Sequence, residues 1–123
     1  MIGYITIGVK DVERAKNFYC ELLADMGATV LMDMERLVLI GKSMQEPMLG
    51  VCIPYDEKDP QPGNGNMFGI TATSKEQAEK LYHKAIELGA TCEGEPGQRI
   101  PDVFYGAYVR DLDGNKLAFY VFG

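Results

Sequence analysis

The sequence predicts an α+β chain built from two βαβββ halves. Three observations predict it: an internal duplication, a strand pattern followed by an amphipathic helix pattern in each copy, and a train of β-prone segments after each helix. The duplication pairs Asp11-Val-Glu-Arg-Ala15-Lys-Asn-Phe18-Tyr19, then Leu22-Leu23 and Gly27-Ala28-Thr29, with Ser74-Lys-Glu-Gln-Ala78-Glu-Lys-Leu81-Tyr82, then Ala85-Ile86 and Gly89-Ala90-Thr91. Ala15 and Ala78 are 63 residues apart, as are Tyr19 and Tyr82, and the two Gly-Ala-Thr tripeptides are 62 apart. The same offset of 63 pairs Ile7 with Ile70 and Tyr4 with Met67.

Taken in order, Gly3 to Lys10 alternates Ile5, Ile7 and Val9 with Tyr4, Thr6 and Gly8, the period of two that sends side chains to opposite faces of a sheet. The first helix follows, with Val12, Ala15, Phe18, Tyr19, Leu22, Leu23 and Met26 on one stripe, Asp11 as N-cap and Gly27 as stop. Val30 to Met34, Leu37 to Ile40 and Met48 to Ile53 read as strands. The stretch Pro54 to Asn66, rich in proline and glycine, reads as a linker. In the second half Met67 to Ala72 alternates Phe68, Ile70 and Ala72 with Met67, Gly69 and Thr71. The second helix carries Ala78, Leu81, Tyr82, Ala85, Ile86 and Leu88 on its stripe, with Ser74 and Gln77 in a capping-box pattern and Gly89 at its end. Thr91-Cys92, Tyr105 to Arg110 and Lys116 to Val121 are the strands that follow, and Asp111-Leu-Asp113-Gly114-Asn115 is a hairpin turn by its chemistry. The expected organisation is one domain over residues 1–123, with a first module of about 1–53, a linker of 54–66 and a second module of 67–123.

Composition narrows the function classes. With 46% hydrophobic and 24% charged residues in 123, the chain has the make-up of an ordinary globular domain and not of a disordered one. A net charge of −6 repels a phosphate backbone, so nucleic acid is not the expected partner. No apolar run reaches membrane-span length, and Met1-Ile2-Gly3-Tyr4 lacks the basic start of a signal peptide. Cys20, Cys52 and Cys92 show no CxxC spacing, which suits reduced thiols; the expected location is the cytoplasm.

The two halves, the Asp-x-x-x-Ala-x-x-Phe-Tyr helix start and the closing Tyr105-Gly-Ala-Tyr108-Val-Arg110-Asp111-Leu-Asp113-Gly114-Asn115-Lys-Leu resemble the vicinal oxygen chelate superfamily. Its members include glyoxalase I, extradiol dioxygenases, methylmalonyl-CoA epimerase and antibiotic-binding resistance proteins. The resemblance implies a curved mixed sheet around a central cleft, and a homodimer. It further implies a metal held by one residue from the first and one from the last strand of each half. Those positions fall here on Tyr4, Gly50, Met67 and Ala118. Glycine and alanine offer no side-chain donor, a thioether suits Cu(I), and one phenol cannot hold a divalent ion that needs about three protein ligands. The expectation is therefore no metal, no cofactor and no catalytic residue.

What remains is a cleft for a small organic molecule, lined by Tyr4, Thr6, Met67, Gly69, Tyr105, Tyr108, Arg110 and Tyr120. Tyr105 and Tyr108, three apart, face opposite sides of a regular strand, and the sequence does not say which enters the cleft. Two other readings stay open: a metal-dependent lyase, isomerase or dioxygenase with ligands such as Glu35, Glu46 or Asp102, and a dimer whose cleft is filled by its own side chains.

The remaining motifs read as structural. His83, the one histidine, lies off its helix stripe and is expected at the surface. Gly63-Asn-Gly65 precedes a strand and not a helix, so it lacks the phosphate-binding context. Asp111-x-Asp113-x-Asn115 lacks the later glycine and glutamate of a calcium loop. Cys52 and Cys92 are expected to be buried thiols, and Glu93 and Glu95 solvated loop carboxylates. Arg99 and Arg110 are cations suited to a carboxylate partner, with a surface ion pair as the plainer reading.

Overall fold

A computed structural model describes all 123 residues. Its contacts divide the chain into two compact units, Met1–Pro62 and Gly63–Gly123.

The first unit runs β1 (Tyr4–Gly8), α1 (Val12–Leu22), a 3₁₀ turn (Ala24–Met26), β2 (Thr29–Asp33), β3 (Leu37–Gly41) and β4 (Met48–Cys52). Its sheet has the order β1-β4-β3-β2. The one parallel pair, β1 with β4, needs a crossover, and the chain between them supplies α1. Asp11 caps α1 by accepting from the Arg14 amide at 3.0 Å. The α-helix stops at Leu22, and the 3₁₀ turn carries the chain to Gly27, whose φ of 83° is the left-handed conformation that favours glycine. Ala15, Phe18, Tyr19 and Leu22 of α1 are buried, and the helix packs on β2, β3 and β4. Val38, Ile40, Leu49 and Val51 complete this core.

The second unit repeats the plan: β5 (Phe68–Thr71), α2 (Lys75–Glu87), β6 (Thr91–Ile100), β7 (Phe104–Arg110) and β8 (Lys116–Phe122), in the order β5-β8-β7-β6 with β5 parallel to β8. Ser74 accepts from the Gln77 amide at 3.0 Å, while the Gln77 side chain reaches back to the Thr73 amide at 2.7 Å. The reciprocal half of the box thus lands one residue earlier than the standard pattern. Ala78, Leu81, Tyr82 and Ala85 are buried against the sheet, whereas Ile86, expected on the stripe, is exposed. Val109, Leu117 and Phe119 form the sheet side of this core.

The largest departure from expectation is β6. Sequence patterning gives it Thr91-Cys92, yet it runs ten residues through Glu93-Gly-Glu95-Pro-Gly97. Its pairing with β7 slips at three places, between Cys92 and Gly94, Gly94 and Gly97, and Gln98 and Ile100. Bulges at the glycines and an edge position let Pro96 sit in a strand that a central position would not tolerate. Glu93 and Glu95 are therefore strand residues, not loop residues. Cys92, expected to be buried, is exposed on this edge, while Cys52 is buried. His83 is exposed. No helix is long and apolar enough to cross a membrane.

Candidate functional site

Each sheet has a face turned to its helix and a face without one. In the second unit, strand alternation and register sort the side chains between them. Tyr105 goes to the helix side: its hydroxyl donates to Glu79 of α2 at 2.6 Å, and Lys75 of α2 stands 5.5 Å from its ring centre. The bond to the Glu79 carboxylate raises the Tyr105 hydroxyl above the usual phenol range. Tyr105 thus separates from the residues grouped with it in sequence, and Tyr108 is the tyrosine of the other face.

That helix-free face starts at β5 and β8. The Tyr120 ring lies over Gly69, where a Cβ would come within 3.0 Å of the ring. Thr71 donates to the Tyr120 hydroxyl at 2.8 Å. Phe104 stacks on Tyr120, ring centres 5.4 Å apart and planes 3° from parallel, and Phe122 meets both rings edge-on. Further along the same face, Tyr108 is opposite Ala118. The Tyr108 ring has the Arg99 guanidinium 5.3 Å from its centre and the Lys116 ammonium at 5.5 Å, both within cation–π range. Arg110 is held differently: it donates to Glu93 at 2.6 Å and to the Gly114 carbonyl at 3.0 Å. The guanidinium bond holds the Glu93 carboxyl below its ordinary range. The plainer reading of Arg110, an ion pair, is what its geometry gives.

The closing turn is a buried polar knot. Asp111 accepts from the Asp113 and Asn115 amides, each at 2.9 Å, and from the Asn115 side chain at 3.1 Å. Its own amide donates to the Asn115 carbonyl at 2.8 Å. Its carboxylate oxygens are spent on the turn, not aimed at a cation.

In the first unit, Thr6 is opposite Gly50 across the β1–β4 pair. A Cβ on Gly50 would meet the Ile5 carbonyl at 3.1 Å and the Thr6 and Leu39 side chains at 3.2 Å. Tyr4, at the start of β1, is 59% exposed. At the other end of the strand the segment 54–61 folds over the sheet. Pro60 packs so closely on Gly8 that a Cβ there would come within 2.9 Å of it. This segment and the sheet border an open pocket of about 650 Å³, lined by Thr6, Gly8, Leu37, Cys52, Arg36 and Tyr55 together with the charged Asp56, Lys58 and Asp59. Arg36 is fixed by a 2.7 Å bond to the Ile53 carbonyl and stands 5.6 Å over the Tyr55 ring. Of the eight site residues expected from sequence, Thr6 alone lines this pocket. Tyr55 was missed because its segment carries only linker signals, Arg36 because it stands alone between two predicted strands, and Cys52 because its sequence setting reads only as a buried thiol; the Arg36–Ile53 bond needs the fold to become visible.

The residues at the superfamily's metal positions do not fit a divalent ion. Gly50 and Ala118 carry no donor, and Ala118 is 1% exposed. Met67 offers a thioether and Tyr4 a single phenol. Glu35 and Asp102 sit on exposed turns at φ of 64° and 61°, and Glu46 accepts from Ser43 at 3.3 Å. No three His, Cys, Asp or Glu side chains gather anywhere in the structure.

Residues 1–119 match the family model of the Glyoxalase/Bleomycin resistance protein/Dioxygenase superfamily. The chain is similar to a glyoxalase/bleomycin resistance protein from Albidiferax ferrireducens T118, with 32% identity, a TM-score of 0.87 and 98% of each chain covered. A glyoxalase/bleomycin resistance protein/dioxygenase family enzyme from Burkholderia phytofirmans PsJN shares the fold at 17% identity and a TM-score of 0.78, covering 97% of this chain and 96% of its own. A lactoylglutathione lyase from Agrobacterium tumefaciens does so at 20% identity and a TM-score of 0.72, covering 98% of this chain and 92% of its own. No curated protein matches.

Proposed function

The chain belongs to the glyoxalase/bleomycin resistance protein/dioxygenase superfamily, and from that premise we propose that it binds a small organic molecule on the helix-free faces of its sheets, without a catalytic metal. The observation that carries the proposal is the chemistry of the four metal positions. Two have no side-chain donor, and Gly50 has no room for one without displacing Thr6, Leu39 or the β1 backbone. The same faces carry what an organic ligand needs: stacked aromatic rings at Phe104 and Tyr120, a hydroxyl pair at Thr71 and Tyr120, and a pocket of about 650 Å³ in the first unit, within the size range of small-molecule sites.

On this reading the chain's own residues do the binding. Tyr120 is pre-positioned by Thr71 and Phe104, so little side-chain entropy is lost when a planar group settles beside it. Thr6 and Tyr4 supply hydroxyls at the first strand. A ligand that binds only the folded state raises the melting temperature, by the equivalent of about 2.7 kcal/mol at a hundredfold excess over Kd. The test is a thermal-shift screen of aromatic and amphipathic compounds with a chelator present throughout. The expected result is saturable stabilisation, undiminished by chelator and weakened by Tyr120→Ala and Tyr4→Ala. A screen in which stabilisation needs added divalent metal would overturn the proposal in favour of a metal-dependent lyase, isomerase or dioxygenase. A screen with no stabilising compound would overturn it in favour of faces filled by their own side chains.

A further inference from the structure

From the cations around Tyr108 we infer that the helix-free face of the second unit recognises the carboxylate of an aryl carboxylate, with Arg99 and Lys116 as its anion-binding pair. The inference rests on the preceding reading that this face takes organic molecules, and it adds the ligand's charge and shape.

The chain carries a net charge of −6, so two cations placed against one ring are a local exception to its overall field. Lys16 and Lys84 pair with Glu13 and Glu87, and Arg110 with Glu93. Arg99 and Lys116 form no salt bridge, although the Lys116 charge also helps to lower the Glu93 carboxyl, and both flank the Tyr108 ring on the helix-free face, at 5.3 and 5.5 Å. An anion that reaches both charges gains from each of them.

The Arg99 guanidinium is positioned by the backbone. It lies across Gly94 and Gly97, where Cβ atoms would come within 3.1 Å and 3.6 Å of its nitrogens. Its Nη2 donates to the Glu95 carbonyl. The register slips of β6 at those glycines bring this edge strand back on itself and set the guanidinium against Tyr108. One donor is used on Glu95, and most of the remaining fork is open to a bidentate acceptor such as a carboxylate.

The arene has its own place. Phe104, Tyr120 and Phe122 lie on the same face, and Phe104 is four residues from Tyr108 along β7, about 13 Å at the rise of a strand. A fused aromatic ring on a short carboxylate arm spans that interval, with Phe122, 71% exposed, as the surface it covers.

The experiment is isothermal titration of the intact chain with three probes: 2-naphthylacetate, 2-naphthaleneethanol and inorganic phosphate. The expected result is that naphthylacetate binds at least about tenfold more tightly than the alcohol, the scale of a charge-assisted hydrogen bond. The double variant Arg99→Gln/Lys116→Gln should bring that ratio to about one. The unligated melting temperature checks its folding. Lys116→Gln alone, at a side chain that makes no hydrogen bond, keeps the test open should the double variant unfold. Equal affinity for acid and alcohol overturns the inference and leaves the small-molecule reading standing. So does a preference that survives the double variant, or phosphate binding as tightly as naphthylacetate. If neither naphthyl compound binds, the inference falls, and the chelator-containing screen decides the broader reading separately.

Discussion

In the first module the helix-free face is partly roofed: segment 54–61 folds over β1 and β4, and Pro60 rests on Gly8. In the second the corresponding face carries an aromatic cluster at one end and a cation-flanked tyrosine at the other. Strand order, parallel pair, capped helix and helix-side core are the same in the two modules. The difference teaches where the duplicated scaffold is constrained. The largest fully buried strand side chains, Val51 and Phe119 among them, lie on the helix side, whereas the other face carries different chemistry in each module.

That division can be broken most strongly at β8, where neighbouring aromatic positions alternate between faces. Phe119→Ala, on the helix side, should cost about 3–5 kcal/mol, whereas Phe122→Ala should cost less than about 1. Urea unfolding of the two variants checks it, and comparable losses would mean that the faces are not energetically distinct. Next in size is the closing turn. Asp111→Ala leaves the buried Asn115 side chain and two amides without their acceptor and should cost about 3 kcal/mol. Ser43→Ala, in the corresponding loop of the first module, should change stability by less than about 0.5 kcal/mol.

Gly8→Ala sharpens the comparison from the other side. The new methyl would press on Pro60, and a loss of about 1–3 kcal/mol is expected, accompanied by faster proteolysis within segment 54–61. Gly3→Ala, with nothing within 4 Å of the added carbon, is the control and should be nearly neutral. The two helix caps should behave alike: Asp11→Ala and Ser74→Ala each cost about 1 kcal/mol in the same unfolding assay.

The smallest expected effect is a titration. The Tyr82 hydroxyl is hydrogen-bonded with Cys92 and buried, which pushes its pKa up to about 12 from an ordinary 10.0. A folded-state pKa above the unfolded value contributes stability that is fully present below pH 10.0 and lost as pH rises through about 12. Ultraviolet titration should show Tyr82 ionising late, with Tyr105 also raised by Glu79, and Cys92→Ala should bring Tyr82 back while leaving Tyr105 unmoved.

The duplication made both helices and the repeated strand–helix–strand order legible, and the hairpin turn was legible from its own residues, because each rests on local periodicity, capping or turn chemistry. Asp11 and Ser74 cap where their sequence patterns place them. Strand β6 was not legible beyond Cys92: Gly94, Pro96 and Gly97 read as loop, and only an edge position with bulges accommodates them. The same blind spot hid the exposure of Cys92 and the strand setting of Glu93. The missing donors at Gly50 and Ala118 were readable from residue identity alone, whereas the side taken by Tyr105 needed the contact with Glu79. The pocket around Arg36 and Tyr55 was not legible, since a loop's path over a sheet leaves no periodic trace.

The central claim, organic-ligand binding without a catalytic metal, is tested most directly by metal content. The untagged chain is grown with transition metals, purified without chelator and measured by plasma mass spectrometry. The expected result is well below about a tenth of a divalent ion per chain, since no set of about three protein ligands is available to retain one. A content near one ion per chain would contradict the account and place the ligands among residues that the four family positions do not include.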